Sequence, residues 1–400
     1  MPDSRDPKVL SIVTRLNIGG PAILTIMLVR EMRPFGFQTA LISGSCEPDE
    51  GDMSFLLEPS DSVFWVPEMS RSVSPVRNIV ALWRIWRVLR RERPSVVHTH
   101  TAMAGCLGRV AARLANVPVV VHTFHGNSLQ EYFSPLVNRV FLAIERSLAK
   151  RTDAICVLSP QQTDELSGRF RLAPREKFHV VPLGLDLDPF LAIGPLAVES
   201  GILRVGWLGR FVTVKNVPLL AEIVSAAIAR IPGIQFVIAG DGGDAAIIRE
   251  LVCKHPGSVV WEGWLKDVTS MIASCHLVIQ TSRNEGTPVA LIQAMAAGRP
   301  FIATPVGGVI DMVELPESRS DGGSQWFRNA VLAPATAEAF VVVLEQFQRQ
   351  PELIAELGEN ARRFAQAHYR KEALASNLNR LYRELMAADA AGTTAAERRN

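Results

Sequence analysis

One short stretch of the sequence combines a carboxylate with the start of a helix. Residues 280–300 read QTSRNEGTPVALIQAMAAGRP, which predicts a strand up to Ser282, a helix from Pro288 and a helix stop at Gly298. Glu285 lies in the polar loop between the strand and the helix. Such a helix would leave its first backbone amides unpaired, and its dipole favours an anion beside them. The amides concerned belong to Gly286, Thr287, Val289 and Ala290. The loop therefore offers donors to a diphosphate and a carboxylate to sugar hydroxyl groups, although an ordinary helix stabilised by Glu285 fits the same pattern.

Histidines near the ends of predicted strands form a second group of candidates. His125 follows a valine-rich strand, and it could work at the edge of a sheet or be a buried core residue. His98, His100 and His122 lie near the ends of neighbouring strands, and His100 is placed where it could line a cleft. No carboxylate or cysteine accompanies these histidines at the spacing of metal ligands, so we predict no metal site.

Short runs of valine and isoleucine alternate with helical patterns in both halves of the chain. This alternation is typical of parallel sheets that are covered by helices on both faces. The predicted strands are residues 9–13, 39–43, 63–66, 96–99, 117–123 and 154–158 in the first half, and residues 203–208, 235–239, 258–261, 277–280 and 301–303 in the second. Residues 180–200 are rich in proline and glycine and predict a linker between the halves. Two such sheets that face each other would place an active site in the cleft between them.

The composition excludes several classes of protein. The 400 residues carry 42 lysines and arginines against 40 aspartates and glutamates, so no general affinity for nucleic acid is expected. The length fits two domains, and an apolar fraction of 48% is typical of globular proteins. None of the five cysteines forms a CxxC motif, which indicates a reduced compartment. No signal peptide and no membrane span of ~20 apolar residues is recognisable, so we expect a cytoplasmic protein.

Several motifs, in order along the chain, resemble those of the family-4 retaining glycosyltransferases, which have the GT-B fold. The strongest is the run Ser282-x-x-Glu285-Gly286-x-Pro288, followed by Ala294-Met295-Ala296-x-Gly298-x-Pro300. The other matches are Gly19-Gly20, Thr123-Phe-His125-Gly126, Pro182-Leu-Gly-Leu-Asp186, Gly209-Arg210 with Lys215-Asn216, and Gly240-Asp241-Gly242. The resemblance implies an α/β protein with two Rossmann-like domains facing across a cleft.

The same resemblance implies a set of domains. Residues 1–190 would form the N-terminal acceptor domain and residues 200–370 the C-terminal domain that binds the nucleotide-sugar donor. Residues 371–386 would form a helix that packs back on the N-terminal domain. The Ala- and Thr-rich residues 387–400 are expected to be a disordered tail.

The resemblance also implies a role for each matched residue. Glu285 would contact the hydroxyl groups of the donor sugar, and His125 would lie beside the sugar ring and assist an oxocarbenium-like transition state. Arg210 and Lys215 would neutralise the leaving nucleoside diphosphate, where negative charge develops. No metal or other cofactor would be required, because the nucleotide sugar is a co-substrate. The further substrate-binding positions would be Gly19, Gly20, Asp241, Gly286, Thr287, Pro288, Val289 and Gln293.

Several of these residues also have an explanation that involves no function. Arg210 and Lys215 could be surface charges, and the glycines that flank Asp241 could form a plain turn. Gly19-Gly20 would allow a phosphate or an acceptor to approach the backbone closely, but the segment does not complete the GxGxxG pattern of a nicotinamide site.

One position departs from the family pattern. The family has a second glutamate eight residues after the first, where it accepts hydrogen bonds from the ribose hydroxyl groups, but this chain has Gln293. An amide offers one acceptor oxygen without charge, and a neutral acceptor binds a donor less strongly than a carboxylate. Weaker ribose binding is therefore expected, and the alternative is an altered donor site.

A basic, tryptophan-bearing helix is predicted within residues 77–93. It carries arginines at six positions together with Trp83 and Trp86. These residues could contact the headgroups of an anionic membrane, which would suit a lipid-linked acceptor and a peripheral location on the inner face of the membrane. The alternative is a helix that covers the first sheet and has solvated arginines.

Together these observations predict a retaining glycosyltransferase. It would move a hexose or an acetamidohexose from a nucleotide sugar, a UDP-sugar above all, to a lipid-linked or polysaccharide-precursor acceptor. Two alternatives remain open at this point: a nucleotide-sugar epimerase of the same double architecture, and a non-catalytic regulator that binds a nucleotide sugar.

Overall fold

The computed structural model describes residues 6–47, 51–70, 74–126, 135–196 and 201–397. The chain divides into two compact units, of which unit 1 is Met1–Leu185 with Lys371–Asn400 and unit 2 is Asp186–Arg370. The chain therefore passes from unit 1 to unit 2 inside the predicted linker, and it returns to unit 1 at the start of the predicted C-terminal helix.

The described residues of unit 1 contain seven strands, and all pairings between these strands are parallel. The strands are β1 (Lys8–Arg15), β2 (Gln38–Gly44), β3 (Val63–Trp65), β4 (Val96–His100), β5 (Val119–Phe124), β6 (Ala154–Val157) and β7 (Phe178–Val180). The helices between them are α1 (Gly20–Glu31), α2 (Pro75–Glu92), α3 (Ala102–Leu114), α4 (Pro135–Ala149) and α5 (Pro160–Asp164). The strand order is β3-β2-β1-β4-β5-β6-β7. The order reverses between β1 and β4, and loops that diverge at such a point leave a crevice at the carboxyl ends of the strands.

Helix α3 packs closely on the sheet because it contains two glycines. A Cβ atom at Gly108 would lie 2.7 Å from the Cγ2 atom of Thr99 on β4, and one at Gly105 would lie 2.5 Å from the Cε1 atom of His122 on β5. Any larger residue at these positions would push α3 away from the two strands. The close approach thus fixes β4 and β5, the strands that lead to His100 and His125.

Unit 2 contains a second, larger sheet. Its strands are β8 (Leu203–Leu208), β9 (Ile234–Ala239), β10 (Val259–Gly263), β11 (Leu277–Gln280), β12 (Phe301–Ala303), β13 (Pro316–Asp321), β14 (Ser324–Phe327) and β15 (Ala330–Leu332). Its helices are α6 (Asp188–Leu191), α7 (Val217–Arg230), α8 (Ala245–Lys254), α9 (Thr269–Ser274), α10 (Val289–Ala296), α11 (Ala337–Arg349) and α12 (Glu352–His368). The strand order is β10-β9-β8-β11-β12-β15-β14-β13. This order reverses between β8 and β11.

The last three strands of unit 2 were not predicted. Strands β13 and β14 pair antiparallel and are joined by Gly322 and Gly323, whose φ angles are +58° and +79°. Two residues with positive φ suit the tight turn of a hairpin, and glycine adopts that conformation without strain. Strand β14 pairs antiparallel with β15, which continues the parallel part of the sheet next to β12. The signal in the sequence was the Gly-Gly pair.

The C-terminal helix α13 (Lys371–Glu397) corrects the prediction of a disordered tail for residues 387–397, and residues 398–400 lie outside the described residues. Alanine has the highest helix propensity of all residues, and the alanine-rich end continues the helix instead of ending it. Helix α13 belongs to unit 1, where the ring of Tyr382 packs edge-on against Phe37 and Lys371 pairs with Glu31. In the described part of the chain, no helix has the length and apolar character that crossing a membrane requires.

Candidate active site

The candidate residues of unit 2 lie where its strand order reverses. The loop after β8 carries Arg210 and Lys215, and the loop after β11 carries Glu285. The two loops are tied together, because the amide of Arg283 donates to the carbonyl of Val214 at 2.8 Å. The hydroxyl of Thr281 also donates to the carbonyl of Lys215 at 2.8 Å. These bonds hold the basic loop beside the carboxylate.

Glu285 and Lys215 form an ion pair at 2.6 Å. The same carboxylate oxygen, Oε1, also accepts hydrogen bonds from Nε2 of Gln280 at 2.5 Å and from the hydroxyl of Ser282 at 2.5 Å. Gln280 and Ser282 are both buried. The other oxygen, Oε2, has no hydrogen-bond partner among the described residues. One oxygen of Glu285 therefore fixes the side chain, and the other remains for a ligand.

Two glycines after β12 pack against the loop that carries Glu285. The amide of Gly308 donates to the carbonyl of Glu285 at 3.2 Å. A Cβ atom at Gly307 would lie 1.9 Å from that carbonyl oxygen, and one at Gly308 would lie 2.0 Å from the carbonyl oxygen of Gly286. Only glycine allows this contact between the two loops.

Helix α10 begins immediately after this loop, with Pro288 as its N-cap residue and no side chain capping it. Within the described ranges, the four amides at its start have no hydrogen-bond acceptor; they belong to Gly286, Thr287, Val289 and Ala290. Unpaired amides and the positive end of a helix dipole together form a site for an anion. The open amides thus lie where the sequence predicts an anion site, and the binding of an anion there stays a prediction.

The remaining candidates of unit 2 lie on three neighbouring elements. Arg210 is exposed and makes no side-chain interaction with the described residues. The loop of Asp241 lies against the loop of Arg210, because the carbonyl of Asp241 accepts the amide of Phe211 at 2.7 Å. The carboxylate of Asp241 accepts the amide of Gly242 at 2.7 Å. Gln293 lies in the second turn of α10, half-buried, and its side chain has no partner in the described part of the chain.

In unit 1, the glycine loop follows β1 directly. Helix α1 starts at Gly20, with Gly19 as its N-cap residue and Pro21 in its first turn. The carbonyl of Gly19 accepts the amide of Ala22 at 3.2 Å. The amides of Gly19 and Gly20 have no acceptor among residues that the structure describes. This helix start therefore has two open amides, and the approach of a phosphate or an acceptor to them stays a prediction.

His125 follows β5 and is half-buried. Its Nε2 atom lies 3.0 Å from Nδ1 of His100, which ends the neighbouring strand β4. Burial lowers the pKa of His125 to about 4, so the imidazole is neutral at pH 7. The structure thus pairs two histidines that the sequence prediction treated separately.

The other two histidines are structural neighbours of this pair. His98 bonds through Nδ1 to the hydroxyl of Tyr382 at 2.5 Å and through Nε2 to Thr123 at 2.6 Å, and burial lowers its pKa to about 3. His122 bonds to Thr99 at 2.9 Å, and burial lowers its pKa well below the usual value. No group of His, Cys, Asp and Glu side chains in the described ranges is arranged to hold a metal ion.

The basic helix predicted within residues 77–93 is α2, and it has two distinct faces. Its inner face packs on the core of unit 1 through Ala81, Ile85 and Leu89. The opposite face, which we name the outer stripe of α2, is exposed and consists of Val76, Ile79, Trp83, Arg87 and Arg90. Ile79 is 68% exposed and Trp83 is 50% exposed, and the guanidinium of Arg87 lies 4.6 Å from the centre of the Trp83 ring. The helix therefore covers the sheet and also presents an apolar and basic surface.

Sequence reasoning missed three residues that shape these sites and one contact of a fourth. Gln280 belongs to a predicted strand and gave no signal of its contact with Glu285. Gly307 and Gly308 form a pair like Gly19-Gly20, and that pair was the available signal. His100 was considered only as a residue lining a cleft, because its contact with His125 depends on the register of β4 and β5.

Comparisons with known proteins give consistent matches. The family model described as glycosyl transferase 4-like domain matches residues 19–184, and the model described as glycosyl transferases group 1 matches residues 203–350. The chain is 29% identical to the UDP-Gal:alpha-D-GlcNAc-diphosphoundecaprenol alpha-1,3-galactosyltransferase of Escherichia coli, over 65% of this chain and 70% of that protein. It is 26% identical to the alpha-D-kanosaminyltransferase of Streptomyces kanamyceticus, over 74% of this chain and 79% of that protein.

Solved structures resemble the chain over nearly its whole length. Sucrose-phosphate synthase from Thermosynechococcus elongatus has a TM-score of 0.75 at 21% identity, and covers 96% of this chain and 100% of its own. HepE of Anabaena in complex with UDP has a TM-score of 0.73 at 18% identity, and covers 95% of this chain and 100% of its own.

Proposed function

Because the chain belongs to the family-4 glycosyltransferases and has the GT-B fold, we propose that it transfers a hexose or an acetamidohexose from a UDP-sugar to a lipid-linked saccharide or another polysaccharide precursor, with retention of the anomeric configuration. The observation that carries this proposal is the ion pair of Lys215 and Glu285 beside the open amides of α10. Within one loop pair, a cation and open amides match the diphosphate, and a carboxylate matches the hydroxyl groups of the sugar.

The diphosphate binds at the start of α10 in this proposal. The amides of Gly286, Thr287, Val289 and Ala290 donate to its oxygens, and the side chains of Arg210 and Lys215 supply positive charge. Charge develops on the phosphate as the bond to the sugar breaks, and fixed donors in a site that excludes water stabilise that charge without reorganising. Pro288 contributes by starting the helix at this point.

Glu285 binds the donor sugar through Oε2 in this proposal. A carboxylate oxygen accepts hydrogen bonds only, so its partners are sugar hydroxyl groups, and charge assistance makes these bonds strong. Because Oε1 is already held by three donors, the open oxygen has a defined direction. The site therefore selects the orientation of the sugar ring before the reaction begins.

Transfer proceeds on one face of the sugar ring. The bond from the anomeric carbon to the phosphate oxygen breaks, and the bond from that carbon to the acceptor oxygen forms on the same face. The acceptor proton moves to the departing phosphate oxygen, so the leaving group serves as the base. The family resemblance implies that His125, as a neutral imidazole, would contact the donor sugar, and that Gly19 and Gly20 would contact the phosphate or the acceptor.

Two further positions contact the nucleoside in this proposal. Gln293 accepts from the ribose hydroxyl groups through its amide oxygen, because it occupies the second turn of the helix whose start binds the diphosphate. Asp241 lies on the loop packed against that of Arg210 and completes the donor site. The choice of uridine and of a lipid diphosphate acceptor is supported by the name of the Escherichia coli relative.

Binding and product analysis test the proposal together. Thermal shifts measured against UDP-galactose, UDP-glucose, UDP-N-acetylglucosamine and GDP-mannose should show stabilisation by one or more UDP-sugars, because a ligand that binds only the folded state raises its stability. NMR of the product made with a lipid diphosphate saccharide should show the anomeric configuration of the donor. An inverted product would disprove retention, and an epimer formed without acceptor would indicate an epimerase instead.

Replacement of the ion pair tests the residues. We expect Lys215→Ala and Glu285→Ala each to lower kcat by about 10²–10³-fold, the range for removing a group that stabilises developing charge. The exposed ion pair of Lys254 and Glu250 on α8 gives matched controls, since Lys254→Ala and Glu250→Ala remove the same charges from the same unit. Unchanged transfer in either site variant would refute the role of that residue.

We further propose that the outer stripe of α2 binds an anionic membrane surface, so that the enzyme works as a peripheral protein on the inner face of the membrane. The stripe runs from the apolar side chains of Val76, Ile79 and Trp83 to the cations of Arg87 and Arg90 along one side of the helix. Apolar side chains enter the boundary of the headgroups while arginines pair with lipid phosphates.

Co-sedimentation with vesicles tests this surface. Binding should be stronger to vesicles that contain phosphatidylglycerol than to phosphatidylcholine alone. Each arginine contributes ~1 kcal/mol at an anionic surface, so Arg87→Gln with Arg90→Gln should weaken binding by roughly 30-fold. The control is Arg380→Gln on α13, which removes an exposed arginine outside the stripe. Equal binding to both vesicle types would refute the surface.

A further inference from the structure

His100 lies at the carboxyl end of β4 and is completely buried. Its ring lies against the ring of His98, with 4.2 Å between the ring centres, and His98 is itself held on both nitrogens by Tyr382 and Thr123. The ring of His100 therefore rests on a side chain that cannot turn without breaking two hydrogen bonds.

The backbone that follows His100 is also fixed. Thr101 has φ 66° and ψ 161°, a region that glycine normally occupies, and such strain persists only where the surroundings enforce it. The hydroxyl of Thr101 bonds to the carbonyl of His100, and it lies 2.6 Å from the hydroxyl of Thr14 on β1. Strained residues that are held in this way cluster at functional sites.

The two nitrogens of His100 have different surroundings. Nδ1 lies 3.0 Å from Nε2 of His125, whereas Nε2 is buried and has no hydrogen-bond partner among the described residues. In His125 the arrangement is reversed: Nε2 is used by His100, and Nδ1 has no partner in the described part of the chain and is not enclosed. The pair thus has a closed end at His100 and an open end at His125.

We propose that His100 is a positioning residue that holds the imidazole of His125 in one orientation and one tautomer, with Nδ1 presented to the substrate. This proposal rests on the proposed function, because it assigns the task of His100 to the reaction at His125. Both rings are neutral, since burial lowers both pKa values, so a single proton lies between the two nitrogens. Its position decides whether Nδ1 of His125 donates or accepts, and it cannot change unless both rings change tautomer.

The unpaired Nε2 of His100 allows the positioning role to be distinguished from a purely structural role. A buried polar atom without a partner costs stability, and an apolar ring of similar shape would not carry that cost. His100→Phe should therefore leave the melting temperature unchanged or raise it. If the histidine served only packing, the variant should have normal activity.

Nitrogen NMR on the full-length chain with 15N-labelled histidine tests the positioning directly. The His125 signals are assigned from a His125→Gln sample. In the parent protein, one nitrogen of His125 should have the shift of a protonated ring nitrogen and the other that of an unprotonated one. In His100→Phe the two shifts should move towards each other, because the free ring exchanges tautomers. Averaged shifts in the parent protein, or unchanged shifts in the variant, would overturn the proposal.

Kinetics provide the second measurement. His100→Phe should lower kcat by ~10- to 100-fold, as for outer residues that orient a histidine, with a smaller change in KM for the donor. His100→Asn can place an amide where Nδ1 lay and should recover part of this loss. The control is His122→Gln, a buried histidine of the adjacent strand that bonds to Thr99 and not to His125, and it should leave the His125 shifts unchanged. If His125→Ala transferred sugar at the parent rate, the proposed role of His125 would be wrong, while the NMR result would still decide whether His100 positions it.

Discussion

The two carboxylate oxygens of Glu285 have different surroundings. Oε1 accepts from Lys215, Gln280 and Ser282, while Oε2 is left without a partner among the described residues. A side chain held at one oxygen loses little freedom when a sugar binds at the other, so less binding free energy is spent on ordering it. If Glu285 binds the donor sugar as proposed, the partners of Oε1 contribute to catalysis although they need not touch the substrate.

Replacement of Gln280 tests whether the partners of Oε1 position Glu285. Hydrogen bonds to charged groups contribute about 1.5–3 kcal/mol, so Gln280→Ala should lower kcat/KM by roughly 10- to 100-fold. Gln280→Glu should cost more, because it replaces a donor with a second negative charge beside Glu285. Initial rates over a range of donor concentrations measure both effects. Gln348→Ala, a half-buried glutamine of the same unit whose amide donates to the carbonyl of Gly201, is the control. A parent-like rate in Gln280→Ala would contradict the positioning of Glu285.

Gln293 provides a second prediction at a single residue. A carboxylate accepts hydrogen bonds about twice as strongly as a neutral group, so Gln293→Glu should tighten UDP binding by roughly tenfold if this side chain binds ribose. Titration calorimetry with UDP measures the affinity, and 2′,3′-dideoxy-UDP is the matched ligand because it lacks the hydroxyl groups. A gain of the same size with both ligands would show that Gln293 does not contact the ribose.

At the scale of elements, one loop holds another by close backbone contact. Gly307 has φ +51° and leaves no space for a Cβ atom, which would lie 1.9 Å from the carbonyl oxygen of Glu285. A larger residue must displace the loop that leads into α10. The position of the carboxylate thus depends on a glycine that cannot take part in the chemistry.

Gly307→Ala should therefore reduce activity more than its conformational strain alone would. A displacement of about 1 Å in a reacting group can cost about 100-fold in rate, so we expect a loss of that order in kcat. The matched control is Gly257→Ala, because Gly257 has φ +81° but open space around its Cβ position. It should share the loss of stability without the loss of activity, as measured by melting temperature and initial rates. Equal activity of the two variants would show that the loop tolerates the displacement.

The elements also show why some features could be predicted from the sequence. The start of α10 is encoded locally by the polar loop and Pro288, so its open amides followed from the sequence pattern. The contacts of Gly307 with Glu285 and of His100 with His125 join residues 22 and 25 positions apart, and they depend on how strands align. Hairpin β13–β14 was missed because β13 carries charged residues that resemble a loop. The helical end of α13 was missed because a composition typical of frayed termini is also rich in the strongest helix former.

At the scale of the whole molecule, each unit places its candidate residues at the carboxyl edge of its own sheet. Unit 2 collects the charges there, namely Arg210, Lys215 and Glu285. Unit 1 groups four imidazoles on and beside β4 and β5, and burial keeps their pKa values low, whereas His276 is the only buried histidine among the described residues of unit 2. The two units should therefore respond differently to acid.

We expect unit 1 to lose stability first as the pH falls below neutrality. In the unfolded chain a histidine has a pKa of about 6.5, whereas burial lowers the pKa of His98 to about 3 and that of His125 to about 4. Between these values the unfolded chain binds protons that the folded unit does not, so the stabilisation is complete above pH 6.5 and is lost as the pH falls towards the folded-state values. Each such histidine should cost about 1 kcal/mol by pH 5.5, which lies one pH unit below the unfolded value.

Hydrogen exchange measured by mass spectrometry, and corrected for the intrinsic rate at each pH, checks this expectation because it reports the opening free energy of separate segments. Protection of β4 and β5 should fall between pH 7.5 and 5.5 by more than that of β9 and β12, because the β8 amide of Arg204 donates to the buried His276 and β8 is therefore not a suitable reference. His122→Gln removes one buried imidazole. It should therefore reduce the difference in lost protection between the two units by the contribution of one histidine. His368→Gln replaces an exposed histidine and is the matched control. Equal losses of protection in the two units would show that the histidines of β4 and β5 take up protons in the folded state, because water or a movement of the strands then reaches them.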